Sequence, residues 1–300
     1  MSKKIICWWS GGITSAVACK LAIDKYGKKQ CRVIMLDTGN EHSDTYRFLK
    51  DCEKWYGLKI ELLKSDNYNN IQETWYKHLS LNTATGAICS YMLKRRVREV
   101  WEKTNKYKHQ VFGFEFDKKE INRAKALELN HPQTKPIFPL IESKMNKSDC
   151  LKYVKNTSID IPKAYSMGFH NNNCLNTGCV QGGIGYWKKI QKEMPDLFEK
   201  MAKVEHDLTN MKGKPVTMLK DQSKKAKESG IELVFLKKHP KYQKHKCLDD
   251  MKGREVKPLQ ECNGFCGVND LNEKNETEME INFEQFNEKV LHRVRKKEKR

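Results

Sequence analysis

The first half of the chain alternates short apolar runs with longer stretches of helical spacing. The short runs are bounded by turn residues and rich in β-branched or aromatic side chains, so they predict buried strands. These runs are residues 4–9, 31–37, 59–64 and 109–114. Residues 135–141 contain two prolines and predict an edge strand or an extended passage. Helical spacing covers residues 13–26, 43–56, 89–103 and 118–127.

This alternation predicts an α/β fold, a doubly wound parallel sheet with helices on both faces. In such sheets ligands bind outside the carboxyl ends of the strands. Three loops follow predicted strands directly: the loop at Ser10, the loop at Asp37 and the loop at Gly113. We therefore expect all three at one edge of the sheet.

The pattern changes after about residue 160. Residues 167–185 are rich in Gly and Asn, residues 186–211 have helical spacing, and the last ten residues carry a run of Arg and Lys. We predict an α/β domain over 1–160 and a smaller, mostly helical, Cys-containing region over 161–270. Residues 271–300 are predicted to be a charged, weakly ordered tail.

Composition and charge narrow the class of protein. The chain has 300 residues, of which 38% are hydrophobic and 32% charged. No run approaches the roughly 18 apolar residues of a membrane span, and no leader pattern precedes the first strand, so we expect a cytoplasmic protein without a membrane partner. The net charge of +19 attracts polyanions, and tRNA or DNA is a candidate partner. Scattered lysines are equally typical of a basic surface without such a role.

The segment from Ser10 to Ser15, Ser-Gly-Gly-Ile-Thr-Ser, joins the first strand to the first helix. Glycines let backbone N–H groups approach an anion, and the helix N-terminus adds donors and a favourable dipole. Ser10, Gly11, Gly12, Thr14 and Ser15 are thus candidate phosphate-binding residues. Alone, the hexapeptide is equally consistent with an ordinary tight turn.

The order of several motifs resembles a known family. The loop resembles the Ser-Gly-Gly-x-Asp-Ser loop of the adenine-nucleotide α-hydrolase (PP-loop ATP pyrophosphatase) superfamily, and the chain is most similar to the phosphoadenylylsulfate (PAPS) reductase family over about residues 4–142. The residues that carry the resemblance are Leu36–Gly39 with Thr45, Tyr46 and Phe48, then Cys89, Lys94 and Arg95, then Gly113, Asp117, Glu120, Arg123 and Ala124.

The resemblance implies an adenine nucleotide as ligand: PAPS, adenylylsulfate or ATP. Its phosphates would lie on Ser10–Ser15, and the backbone near Leu36 would read the adenine edge. The nucleotide-binding set is completed by Asp37, Thr38, Gly39 and Gly113. Asp37 would cap its loop, or bind the ribose or a metal such as Mg²⁺. Lys94 and Arg123 would be catalytic residues that neutralise phosphate or sulfate oxygens.

The chain departs from the family pattern at three places. Thr14 stands where the loop has aspartate, and Phe114 and Glu115 stand where an arginine is expected. The C-terminal Glu-Cys-Gly-x-His motif is replaced by Glu-Cys-Asn-Gly-Phe-Cys at residues 261–266. These departures make nucleotide binding a firmer expectation than cleavage of ATP.

Two close cysteine pairs, Cys174 with Cys179 and Cys262 with Cys266, lie in Gly- and Asn-rich surroundings. Four thiolates from two turns suit a [4Fe–4S] cluster or zinc, and the resemblance favours iron–sulfur. One alternative uses Cys89, Cys174 and Cys179 with an open iron site. Another makes Cys262 a free catalytic nucleophile, and a third leaves four unrelated reduced cysteines.

Three functions remain open at this point. The first is a PAPS-reductase-like oxidoreductase supplied by a thioredoxin-like or other thiol donor. The second is an ATP-dependent sulfurtransferase that forms AMP and pyrophosphate while modifying tRNA or DNA. The third is a non-catalytic nucleotide- or nucleic-acid-binding module. A homodimer is compatible with each.

Overall fold

The computed structural model describes residues 4–83, 86–172 and 174–259. Cys262, Cys266 and the predicted tail 271–300 lie outside the described residues. Within the described part of the chain, no helix combines the length and apolar character needed to cross a membrane.

The strands and helices are numbered in chain order. The strands are β1 (Lys4–Trp8), β2 (Cys31–Leu36), β3 (Ile60–Leu63), β4 (Asn82–Thr83), β5 (Gly86–Ala87), β6 (Tyr107–Val111), β7 (Pro136–Ile137), β8 (Leu219–Lys220), β9 (Leu233–Phe235) and β10 (Lys246–Cys247). The helices are α1 (Ile13–Tyr26), α2 (Ser43–Tyr56), α3 (Ile71–His78), α4 (Ile88–Ser90), α5 (Arg96–Thr104), α6 (Lys118–Asn130), α7 (Pro139–Glu142), α8 (Lys147–Lys155), α9 (Lys163–Ser166), α10 (Ile184–Glu193), α11 (Pro195–Lys212) and α12 (Lys224–Ser229). A π-helical segment, Tyr91–Arg95, joins α4 to α5.

The central sheet has five parallel strands in the order β3-β2-β1-β6-β7. This arrangement confirms the predicted parallel α/β sheet. Because all five strands run the same way, the loops after β1, β2 and β6 lie at one edge, as expected.

Two separate cores cover the two faces of this sheet. Ile5 and Cys7 of β1 pack with residues of α1, α2 and α8. Ile6 and Trp8 point to the other face and pack with residues of α5 and α6. The alternation of side chains along β1 therefore produces the doubly wound arrangement.

A third core joins α3 and α4 to residues 164–251. This region contains helices α9–α12 and a small sheet in the order β10-β9-β8. The predicted boundary at residue 160 is crossed by contacts, because Ile13 N donates to the hydroxyl of Tyr165 at 3.0 Å. The division into domains at that residue stays a prediction.

Glu205 of α11 joins this helix to the small sheet. Its side chain is fully buried, and its carboxylate accepts hydrogen bonds from Met218 N and, at 2.6 Å, from Leu236 N. Burial raises the pKa of Glu205 to about 8, although the two backbone donors oppose this shift. The protonated form is thus favoured in the folded state relative to the unfolded chain.

We expect Glu205 to make stability pH-dependent. Because the folded pKa lies above the unfolded one, its stabilisation is complete below about pH 4 and is lost as pH rises through 8. Between pH 5 and pH 9, the unfolding free energy of the wild type should fall relative to Glu205→Gln by roughly 2 to 5 kcal/mol. Denaturant titrations across this range measure it, with the exposed Glu199→Gln on the same helix as control. A difference independent of pH would contradict the assignment.

Candidate functional site

The loop Ser10–Ser15 follows β1 and opens α1. Ser15 Oγ accepts a hydrogen bond from Ser10 N at 3.0 Å and donates to Gly12 O at 2.9 Å, which closes the loop on itself. The N-cap of α1, Gly12, provides no side-chain cap, and the first turn of the helix holds no acidic residue. The N-terminus of α1 is therefore electrostatically suited to an anion.

Glycine is required at two positions around this loop. Gly11 has φ +83°, and a Cβ there would lie 2.8 Å from Thr45 Cγ2 of α2. Gly113, after β6, lies directly against the loop, since a Cβ would come within 2.6 Å of Ser15 Cα and 2.7 Å of Ser15 N. The structure thus brings Gly113 against the loop Ser10–Ser15, as the shared sheet edge predicts.

Thr14 lies in the first turn of α1 at the position of the family's aspartate. It is 1% exposed, and its Oγ1 has no hydrogen-bond partner among the described residues. A buried hydroxyl without a partner is costly. A ligand oxygen at this loop would supply the missing partner.

The loop after β2 is organised by Asp37, which is 3% exposed. Its Oδ1 accepts from Gly39 N at 2.8 Å and from the Tyr46 hydroxyl at 3.0 Å, and Lys64 Nζ lies 3.4 Å from Oδ2. Burial, and then the charge of Asp37, raise the pKa of Tyr46. Among the roles expected of Asp37, these contacts support capping of its own loop.

Thr38 and Glu41 form a buried cluster with Cys174. The Thr38 hydroxyl donates to Glu41 Oε1 at 3.0 Å and lies 3.5 Å from Cys174 Sγ, which is 3.7 Å from the same carboxylate oxygen. Asn176 Nδ2 donates to Glu41 O at 2.8 Å. The Cys-containing region is therefore in direct contact with the Asp-Thr-Gly loop.

The predicted cationic residues lie on two helical segments. Lys94 is 6% exposed and belongs to the π-helical segment, a distortion common at functional sites. Arg123 of α6 is 5% exposed; its Nη1 donates to both oxygens of Glu120 at 2.7 and 2.8 Å, and its guanidinium lies 4.8 Å from the centre of the Phe114 ring. Their catalytic roles stay predictions.

The predicted metal ligands are only partly described. Cys174 is buried, and Cys89 and Cys179 are partly buried. Across 4–83, 86–172 and 174–259, no group of three or more His, Cys, Asp or Glu side chains is placed to hold a metal ion. The alternative set of Cys89, Cys174 and Cys179 lies within these ranges and is not assembled there as a metal site. The two-pair arrangement depends on Cys262 and Cys266, which fall outside this range, so it stays a prediction.

A cleft of about 680 Å³ opens beside the Asp37 loop. It begins at Leu63 and Lys64, where Leu63 is the register partner of Leu36 in the sheet. Tyr91 and Arg96 line its far wall, and this volume lies within the range of small-molecule sites.

Sequence reasoning missed Asn172, Tyr165 and Lys64. Lys64 directly follows β3, so its place at the strand end could have been found from the predicted fold. Asn172 and Tyr165 lie more than 150 residues after the loop that they contact, and no local pattern marks them.

A comparison with models of known protein families identifies the family of this chain. The family model described as phosphoadenosine phosphosulfate reductase domain matches residues 4–181. An uncharacterized protein of Methanocaldococcus jannaschii is 27% identical over 210 residues, which are 68% of this chain and 42% of that protein. The chain thus spans less than half the length of this curated relative.

A solved structure is also similar. The crystal structure of a phosphoadenylyl-sulfate (PAPS) reductase from Candida auris, in complex with phosphate, matches with a TM-score of 0.43 and 16% identity. The match covers 56% of this chain and 80% of that chain.

Proposed function

Because the chain belongs to the phosphoadenosine phosphosulfate reductase family, we propose that it binds an adenine nucleotide carrying a sulfate, PAPS or adenylylsulfate, and transfers or reduces that sulfur. The observation that carries this proposal is the loop Ser10–Ser15, which lies against Gly113 and contains the buried hydroxyl of Thr14, a group without a hydrogen-bond partner in the described part of the chain. Such a loop is suited to phosphate or sulfate oxygens.

In this proposal the nucleotide lies along the carboxyl edge of the sheet. Its phosphate end contacts the loop after β1, and its base enters the cleft that begins at Leu63. Two strand spacings, about 10 Å, separate β1 from β3. The apolar and aromatic side chains of the cleft, among them Tyr91 and Trp101, suit a purine.

Lys94 and Arg123 would compensate the negative charge of the phosphate and sulfate groups. Both side chains are buried, and a buried cation is most effective where water does not screen it. Arg123 is oriented by Glu120 and Phe114, so it would act with little reorganisation.

Cys262 is the proposed nucleophile, and the path of the chain supports it. Leu259 N donates to Asn171 Oδ1 at 2.8 Å, and the next residue, Asn172, contacts Gly11 O of the phosphate loop. Cys262 follows Leu259 by three residues in the sequence.

The proposed chemistry proceeds by two displacements at sulfur. The Cys262 thiolate attacks the sulfate sulfur, the bond from sulfur to the bridging oxygen breaks, and the nucleotide leaves with both electrons of that bond. A thiol donor of the thioredoxin type then attacks the Cys262 sulfur of the S-sulfonate, and sulfite leaves. A second donor thiol reduces the mixed disulfide.

Turnover with thiol donors tests this proposal. The protein is incubated with adenylylsulfate or PAPS, with dithiothreitol or thioredoxin, and sulfite is measured. We expect sulfite that depends on both nucleotide and thiol. No sulfite from either sulfonucleotide would rule the reaction out.

The excess positive charge favours a second candidate, an ATP-dependent sulfurtransferase acting on tRNA or DNA. A net charge of +19 attracts nucleic acid and raises its rate of encounter. This candidate predicts pyrophosphate release from ATP that depends on added nucleic acid. Release without that dependence, or none, would contradict it.

An iron–sulfur cluster on Cys174, Cys179, Cys262 and Cys266 is proposed with the second candidate function, in which Cys262 is a ligand and not the nucleophile. Cys174 and Cys179 provide one pair among the described residues, and no step above passes through the cluster. Anaerobically purified protein should be brown, absorb broadly near 400 nm and hold about four irons per chain. Cys174→Ser should remove both colour and iron, whereas Cys150→Ser should keep them. A colourless protein with one zinc would contradict the cluster.

A further inference from the structure

A buried asparagine connects the Cys-containing region to the phosphate loop. Asn172 lies between α9 and α10 and is 4% exposed. Its Nδ2 donates to Gly11 O at 3.0 Å and to Thr45 Oγ1 at 3.1 Å. One side-chain amide therefore contacts both the loop after β1 and helix α2.

The contact with Gly11 O determines how one peptide of the loop is oriented. In a trans peptide the C=O and the N–H point in opposite directions. Holding Gly11 O toward Asn172 and α2 therefore turns the Gly12 N–H away from α2. Gly12 is the N-cap of α1, so this N–H belongs to the donors with which a helix N-terminus binds an anion.

Without the side chain of Asn172, this peptide would have more freedom. Gly11 has φ +83°, and glycine reaches both signs of φ at little cost, so the Gly11–Gly12 peptide could rotate. The hydrogen bond from Ser15 Oγ to Gly12 O holds a different peptide, the one between Gly12 and Ile13. Asn172 thus holds the Gly11–Gly12 peptide, which precedes helix α1, through its hydrogen bond to Gly11 O.

We propose that Asn172 is a positioning residue that presets the Gly12 N–H for the phosphate or sulfate of the bound nucleotide. The inference rests on the proposed function, because it assumes that the loop receives an anion. Asn172 acts through the backbone of Gly11 and Gly12, and its effect falls on the charged end of the ligand. The adenosine part should be insensitive to it.

The test replaces Asn172 by aspartate, which keeps the shape but has no donor and places a carboxylate against Gly11 O. Calorimetric affinities are measured for adenylylsulfate, AMP and adenosine. We expect Asn172→Asp to weaken adenylylsulfate and AMP about tenfold or more and adenosine by less than about threefold. Asn171→Asp is the matched control, because Asn171 is equally buried and its oxygen accepts from Leu259 N. That variant should keep the wild-type ratio of affinities.

A merely structural role would show a different pattern. Equal weakening of adenosine and adenylylsulfate, or no change in either, would overturn the assignment of Asn172. If Asn172→Asp does not fold, Asn172→Ser removes the amide without adding charge. The ratio of its affinities for adenylylsulfate and adenosine then tests the proposal. A wild-type protein that binds adenosine and adenylylsulfate equally would instead contradict the proposed function, so the two failures are distinguishable.

Discussion

Replacing Gly113 by alanine is expected to abolish nucleotide binding and to destabilise the fold by about 1 to 3 kcal/mol. The added methyl group would lie 2.6 Å from Ser15 Cα, 2.7 Å from Ser15 N and 3.1 Å from the carbonyl carbon of Thr14. All three are backbone atoms at the start of α1, so no side-chain rotation relieves the overlap. The loop must move away from β6, and its donors move with it.

A matched glycine separates this effect from the general cost of a methyl group. Gly253 has no atom within 4 Å of an added Cβ, so Gly253→Ala should leave stability and affinity unchanged. Thermal unfolding and nucleotide titration of both variants provide the measurement. Wild-type affinity in a folded Gly113→Ala protein would show that the nucleotide does not use this loop.

Replacing Cys262 by serine is expected to lower sulfite formation on the order of 10³-fold or more while nucleotide affinity stays within about threefold. The hydroxyl of serine is a far weaker nucleophile than a thiolate at neutral pH, and the proposed first displacement needs that nucleophile. Sulfite assays and calorimetry on the same preparation measure the two effects.

A control variant and a mass measurement distinguish Cys262 from the other cysteines. Cys247→Ser removes a thiol from the small sheet, far along the chain from the loop, and should keep sulfite formation. Without a thiol donor, the wild type should gain one SO₃ group on Cys262, detectable by peptide mass spectrometry. Sulfite formation by Cys262→Ser at the wild-type rate would contradict the nucleophile and point to another cysteine.

The main sheet and its first helices could be predicted from sequence because their signals are local. Helix α1 occupies residues 13–26 and α2 residues 43–56, as expected from apolar spacing. Gly57 ends α2 in the left-handed conformation, a common helix stop. The predicted strands were confirmed to within a few residues, and the clearest of them, β1 and β2, are short apolar runs that are buried almost throughout.

The features that escaped prediction depend on contacts distant in sequence. Helix α3 packs with residues 164–251 in the third core, and nothing in the sequence of the helix itself indicates which residues cover it. The helix expected over 89–103 contains the π-helical segment Tyr91–Arg95, which apolar spacing does not distinguish from an α-helix. Strand β10 has two residues, Lys246 and Cys247, and is too short to carry a period-2 pattern.

The candidate site likewise contains some residues with local sequence signals and others that depend on contacts distant in sequence. The position of the loop residues, Asp37 and Gly113 at one edge could be predicted because strand ends in a parallel sheet meet there. The contact of Cys174 with Thr38 and Glu41 joins residues more than 130 positions apart, so no local pattern in the sequence indicates it. Asn172 gave no sequence signal because a lone asparagine in a polar loop has no periodicity.

The central claim is that Ser10–Ser15 binds the phosphate or sulfate end of an adenine nucleotide. Calorimetric titration of the wild-type protein with adenosine, AMP and adenylylsulfate tests it most directly. The account predicts that adenylylsulfate binds at least about tenfold more tightly than adenosine, because the charged group adds contacts to the helix N-terminus. Equal affinity for adenosine and adenylylsulfate, or no binding of either, would contradict it.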